Sequence, residues 1–379
     1  MQVTTLTHSL SGGWSSRPFP LLDSEDTLVT IFGAPGRGEN PGAIHELLRA
    51  YPRAQVIGCS TAGEIAGSSI LDDSLSVAVC RFERTRLRSA CARVSGGGGS
   101  RQAGVTIGEA LLADDLRAVL VISDGIGVNG SELLRGLNDL LPATVVVTGG
   151  LAGDGDRFQR TWILADGGPA AGLVSAVGFY GDHLQVRHGS RGGWDTFGPE
   201  RVITRSAGNV LYEIDGRPAL ALYKEYLGER AKELPAAALL FPLALRRRRG
   251  DDKSLVRTIL SIDEDAQSMT FAGDVPEGNL ARLMRANFDR LIGGASEAAQ
   301  VTARGEHHAG PSLAIAISCV GRRLVLGQRA EEEVEAAREA LPRGTELVGF
   351  YSYGEISPYA SGRCDLHNQT MTLTHFEES

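Results

Sequence analysis

Val56-Ile57-Gly58-Cys59-Ser60-Thr61-Ala62-Gly63-Glu64-Ile65 and Leu347-Val348-Gly349-Phe350-Tyr351-Ser352-Tyr353-Gly354-Glu355-Ile356 are two copies of one pattern. Each is an apolar pair, a glycine, four further residues and then Gly-Glu-Ile. A self-match between the two ends of a chain marks related halves. In both copies an apolar strand reaches a glycine, a second glycine permits a tight turn, and a glutamate is presented where strand gives way to loop. Gly58 and Gly349 allow close backbone approach, either to a neighbouring element or to a ligand. A tight strand end whose glutamate faces solvent is the rival reading of either copy taken alone.

At 379 residues the chain is too long for one ordinary core, so two domains are expected, over residues 27–200 and 201–379. Apolar residues at 42% and charged residues at 22% are globular values, while the 48 glycines, nearly twice average usage, imply many turns and short strands. A net charge of −8 gives no electrostatic footprint for nucleic acid. Arg246-Arg247-Arg248-Arg249 is followed at once by Gly250-Asp251-Asp252-Lys253, a mixture of signs that reads as a solvated loop. The five cysteines are scattered without metal-ligand spacing, which points to a reduced, cytoplasmic protein. No signal peptide is legible, and the longest apolar run, residues 235–245, is broken by Pro242 and falls short of the ~20 residues a membrane span needs.

The hydrophobic pattern predicts a mixed α and β fold of two lobes, with largely antiparallel sheets layered with helices. Residues 27–32 read as a buried strand and 41–50 as a helix. Residues 74–82 and 87–94 read as a hairpin, followed by a glycine spacer at 96–99. A strand at 118–123, a helix at 131–141 and a strand at 144–148 lead into the glycine- and aspartate-rich loop at 149–156. Residues 158–164, 171–180 and 183–188 then read as an antiparallel meander, and 279–300 as a helix broken at Gly293-Gly294.

Several constellations carry candidate chemistry. Gly125-Ile126-Gly127-Val128-Asn129-Gly130 satisfies G-x-G-x-x-G between a strand and a helix, but the acid that should follow in a dinucleotide site is missing, which favours a plain turn. Glu64, Glu355 and Asp154 would form an acid/base set if the repeats face one another. Cys59 lies where helix-start amides would lower its pKa, yet no neighbouring histidine serves as its base, so a small buried thiol is the reading. His188, at a strand end beside Gly189, Gly192, Gly193, Trp194 and Phe197, suits a haem iron or an anionic ligand, against the rival of a histidine satisfied by the backbone. His307-His308 read as exposed.

With these stretches in hand the chain resembles the FIST family of sensory proteins. Gly58-Cys59-Ser60-Thr61-Ala62-Gly63-Glu64 looks like the signature of that family's amino-terminal domain. Gly349 to Ile356 and His367-Asn368-Gln369-Thr370 look like that of its carboxyl-terminal domain. The resemblance implies a ligand-binding signalling module and no enzyme. The segments 188–195 and 209–216 further resemble the haem-binding, nitric-oxide-sensing branch called NosP. That branch implies haem b with His188 as axial ligand and Trp194 packed nearby, and nitric oxide as the gas sensed. The implied partner is a histidine kinase or a cyclic-di-GMP cyclase or phosphodiesterase, through which biofilm formation would be controlled; a homodimer is left open. The alternative is an amino-acid-like metabolite held by a pocket of Gly58, Cys59, Ser60, Gly63, Glu64, Gly150, Asp154, Tyr351, Tyr353 and Glu355. An acid/base enzyme using Glu64 and Glu355 is the third reading.

Overall fold

The computed structural model describes residues 1–379 except 96–98, 166, 235, 251–253, 305–309 and 359–361. Most of the glycine spacer, the acidic end of the charged run and His307-His308 lie outside the described residues.

One unit recurs three times. In the first, an opening strand Gln2–Ser9 (β1) precedes Thr27–Gly33 (β2), a helix Gly42–Ala50 (α1) and a strand Gln55–Ser60 (β3); the short strand Glu64–Ala66 (β4) and a closing strand Leu75–Arg81 (β5) follow. The second unit has Arg86–Arg93 (β6), a helix Gly99–Leu111 (α2), Leu116–Ser123 (β7), a helix Gly130–Leu140 (α3), Val146–Leu151 (β8), the short Ile163–Ala165 (β9) and Leu173–Tyr180 (β10). The third opens with Leu184–Arg191 (β11) and is interrupted by an inserted lobe that begins at Asp195–Ala207 (β12) and ends at Leu280–Arg285 (β13). It resumes with a helix Phe288–Thr302 (α4), Ser312–Cys319 (β14), a helix Ala330–Ala340 (α5), Thr345–Ser352 (β15), Gly354–Pro358 (β16) and Met371–Glu378 (β17).

Within each unit the second strand runs parallel to the first, and the closing strand antiparallel to it. The opening strand pairs with the closing one. The short strand after each second strand leaves its own sheet: β4 joins β15 of the third unit, β9 joins β3 of the first, and β16 joins β8 of the second. The exchange is cyclic, and it ties the two ends of the chain into one body. β2, β10 and β14 are buried at every residue, as continuous apolar strands covered on both faces must be. A common core lies between the sheets, where the rings of Phe32 and Phe350 are 4.7 Å apart and those of Phe179 and Phe376 are 4.8 Å apart.

The Gly-Glu-Ile copies belong to the first and third units, and Val147-Thr148-Gly149-Gly150-Leu151-Ala152-Gly153-Asp154 is the corresponding stretch of the second. Gly58, Gly149 and Gly349 stand opposite Ile31, Val121 and Ala316. A Cβ at those glycines would lie 2.0, 1.7 and 1.8 Å from the carbonyl oxygens of these partners. The glycines are there for strand-to-strand approach.

The structure corrects three expected elements. The hairpin at 74–94 does not form: β5 and β6 lie in different sheets, and the amides of Glu83, Arg84 and Thr85 between them are captured by the Glu378 carboxylate at 2.8, 2.8 and 2.7 Å. The meander at 158–188 is likewise split, because β11 pairs with β17. Residues 280–285 are a strand, and α4 runs unbroken through Gly293-Gly294, where a Cβ on Gly294 would sit 3.3 Å from the amide of Gly193.

The inserted lobe is the second of the two lobes. Its first and last strands pair, Asp195 opposite Arg285, so the chain leaves and re-enters the body side by side. Leu211, Tyr223, Met269, Phe271 and Leu283 contribute to a separate core. Among the described residues no helix is long and apolar enough to cross a membrane.

Candidate functional site

The ends of β3, β8 and β15 meet in the body through one bond made three times. The amide of Ala62 donates to Tyr351, that of Gly153 to Ser60 and that of Tyr353 to Leu151, each to a carbonyl oxygen, at 2.8, 3.0 and 3.1 Å. The sequence-predicted residues converge here, and most are sealed in. Gly58 is closed over by Ile31, and Gly150 by Ile317 and Phe350. Gly63 sits at φ +132° under the Arg323 guanidinium. The Ser60 hydroxyl accepts from the Trp162 amide at 3.0 Å. Cys59 is fully buried, which pushes its thiol well above the usual range. The Tyr351 hydroxyl donates to Glu333 Oε1 at 2.8 Å.

Glu64 and Glu355 make matching local contacts. The Thr61 hydroxyl donates to Glu64 Oε1, while the amide and hydroxyl of Ser74 donate to Oε2 at 3.1 and 2.6 Å. For Glu355 the same three donors are the Ser352 hydroxyl at 2.7 Å and the Thr370 amide and hydroxyl at 3.2 and 2.9 Å. Burial pushes Glu64 up to about 7 and Glu355 up to about 8, against the opposing pull of those hydrogen bonds. Each glutamate thus braces the turn before its unit's closing strand, and neither lines the clefts described next.

Asp154 differs. Burial pushes its carboxyl up, but the Tyr353 hydroxyl and the amides of Phe158, Gln159 and Arg160 outweigh this and hold it below the ordinary value. Those amides are 2.9, 3.0 and 2.9 Å away. The bonds fold the loop so that Phe158 stacks on Tyr353, centroids 4.3 Å apart and planes at 15°. Together the two rings form one wall of a cleft of about 290 Å³ between body and inserted lobe. The body also supplies the 125–130 loop and Leu366, and the lobe supplies Asn209, Leu260, Phe271 and Gly273. Asp124 shapes that loop by accepting the amides of Ile126 and Gly127 at 2.9 and 2.8 Å. Ile126, Phe158 and Leu260 leave 46%, 47% and 45% of their surface exposed around this one opening. Exposed apolar side chains gathered at a concave site mark a binding surface.

A second, polar cleft of about 460 Å³ adjoins it, bounded by α3, the Arg363–Asp365 segment and the inserted lobe. Of the residues expected in a pocket, Tyr353 lines the apolar cleft and Asp154 holds its Phe158 wall, while the polar cleft was not anticipated. The G-x-G-x-x-G turn and Arg247 in the basic run were further signals, and neither says what faces it.

A family model for the FIST N domain matches residues 27–217, and one for the FIST C domain matches residues 219–358. The chain belongs to the FIST family. FIST domains are sensory, ligand-binding domains of signal transduction. The FIST N match ends beyond the division expected at residue 200, which falls inside β12. Among curated proteins, none matches the chain.

In this FIST chain the glycines expected to give a porphyrin room beside His188 are closed over by packing. His188 lies within β11 opposite Thr374, half-buried. The glycines beside it are filled by close approach: a Cβ on Gly189 would lie 2.0 Å from the carbonyl oxygen of Ala298, and one on Gly193 2.0 Å from that of Arg290. The Trp194 indole is buried and donates to the Gln369 carbonyl at 2.8 Å. Among the described residues no group of three or more His, Cys, Asp and Glu side chains is placed to hold a metal ion.

Proposed function

We propose that this FIST protein is a sensor that takes a small metabolite in the cleft between the 125–130 loop and the inserted lobe. The observation that carries this reading is the lining: apolar and aromatic side chains from both lobes, including Tyr353 and the Asp154-held Phe158, surround one opening. A ligand seated there touches both lobes at once, and the chain passes between body and lobe along two neighbouring strands. Occupancy then favours one arrangement of lobe and body over others by the ligand's differential affinity for them. The output passes to a signalling enzyme, for which a histidine kinase or a cyclic-di-GMP enzyme is the partner the family resemblance suggests. Haem with nitric oxide is the ligand suggested by the NosP resemblance, and the packing around His188 gives it no support.

The test is a thermal-shift screen of amino acids and related metabolites on the wild-type protein and on Ile126→Trp, which plugs the cleft from an exposed position. A compound that raises the wild-type melting temperature and leaves Ile126→Trp unmoved supports the reading. Equal shifts in both proteins would remove the cleft from the role.

A further inference from the structure

The polar cleft has a lining of its own kind. Among the described residues, four arginines, Arg135, Arg247, Arg257 and Arg363, face three aspartates, Asp139, Asp274 and Asp365, one more positive than negative charge. Two of the arginines are already committed: Arg135 pairs with Glu132 and with Asp274 Oδ2 at 2.8 Å, and Arg257 donates to the carbonyl oxygens of Asp274 and Leu366 at 3.0 and 2.8 Å. The other two are not. Arg363 donates once, to the Asn138 carbonyl oxygen at 3.0 Å, and Arg247 makes no hydrogen bond or ion pair among the described residues. Arg247 belongs to the inserted lobe and Arg363 to the body, so the two spare guanidinium groups line one cavity from opposite sides of the junction.

Asp274 adds a demand of the opposite kind. It is only 8% exposed, and its Oδ1 has no hydrogen-bond partner. A buried acceptor left unpaired costs free energy until a donor reaches it. Asn138, Asn279 and Ser131 line the same cavity with further polar groups.

We infer that this cleft is a second ligand seat, for a small hydroxylated monocarboxylate of the sugar-acid class. Arg247 and Arg363 hold the carboxylate between lobe and body in the forked geometry a guanidinium offers. The hydroxyls of the ligand donate to Asp274 and exchange hydrogen bonds with the asparagines. The near balance of charge selects a monoanion, because a multiply charged phosphate would bring its excess charge against three aspartates. A volume of about 460 Å³ suits a molecule of that size. The carboxylate bridges the junction, so binding draws the inserted lobe onto α3. The seat is distinct from the apolar cleft, and the hydrogen bond from Arg257 to the Leu366 carbonyl joins the walls of the two.

Isothermal calorimetry on the full chain tests this with gluconate, glucose and sulfate as probes. The expected result is saturable binding of gluconate, with glucose and sulfate at least about tenfold weaker, and at least about a tenfold loss of gluconate affinity in Arg247→Met and in Arg363→Met. Both arginines are exposed, so the variants keep the wild-type unfolding midpoint, which is measured alongside. Ile126→Trp retains gluconate binding, which separates this seat from the apolar cleft. No saturable binding of millimolar gluconate, equal binding of glucose or sulfate, or gluconate affinity unchanged in both arginine variants would each overturn the inference.

Discussion

The amide of Ala62 donates to the carbonyl oxygen of Tyr351 at 2.8 Å, joining the two Gly-Glu-Ile stretches across about three quarters of the chain. With the bonds from Gly153 to Ser60 and from Tyr353 to Leu151, it closes a ring of three units. The third unit is thereby tied directly to the first and the second.

The glycines behind this ring tolerate no side chain. Gly349→Ala would press its methyl group onto the Ala316 carbonyl oxygen, which is strand backbone and has nowhere to go. We expect a loss of about 3 kcal/mol, read as a lower midpoint in urea unfolding. Gly58→Ala is expected to behave alike. Gly36→Ala, where nothing lies within 4 Å, leaves the midpoint in place.

Stability falls as pH rises from about 5 to about 8. Burial holds the Glu64 and Glu355 carboxyls above their ordinary value, at about 7 and about 8, so between 4.5 and those values the folded protein keeps protons that the unfolded chain has released. The stabilising contribution is complete below about 4.5 and is lost through this window, at no more than ~1.4 kcal/mol per pH unit for each group. Chemical unfolding followed across this range measures the slope, and Glu64→Gln together with Glu355→Gln flattens it.

Arg322 and Glu333 form an ion pair at 2.7 Å with neither side chain exposed. Arg322 also donates to the carbonyl oxygens of Gly192, Leu291 and Gln369, pinning the glycine loop at the junction with the inserted lobe. Glu333→Gln leaves a buried guanidinium without its counter-charge and is expected to cost about 3 kcal/mol or more. Arg322→Met combined with Glu333→Leu recovers part of that loss in the same unfolding measurement.

Phe158→Ala removes the ring stacked on Tyr353 while leaving the Asp154 bonds to the backbone intact. Phe158 is half exposed, so its loss changes the unfolding midpoint by less than about 1 kcal/mol. Affinity for any ligand of the apolar cleft falls about tenfold, as read by the dose dependence of the thermal shift.

A visible absorption spectrum after haemin addition, before and after reduction and exposure to nitric oxide, tests the haem reading directly. The packing of Gly189 and Gly193 against α4 leads to the expectation that His188→Ala shows the same haem uptake and the same Soret position as the wild type. A Soret band lost in the variant would restore His188 as the axial ligand.

Local pattern was enough for the elements and for the family. Continuous apolar runs such as 27–32 declare buried strands, and glycines at fixed offsets from Glu64 and Glu355 declare the repeated turn, because both signals are short-range consequences of backbone sterics and burial. Tertiary structure alone decided which strands pair. Residues 74–94 read as a hairpin because nothing local reveals that the intervening amides are claimed by Glu378. The third copy, at Gly149, escaped notice because Asp154 closes a different loop from the one closed by Glu64. Of the clefts, sequence marked Tyr353 alone as a lining residue, for the same reason. Tyr353 and Leu260, or Arg247 and Arg363, stand about a hundred residues apart in sequence, and only the seating of the inserted lobe against α3 brings each pair to one opening.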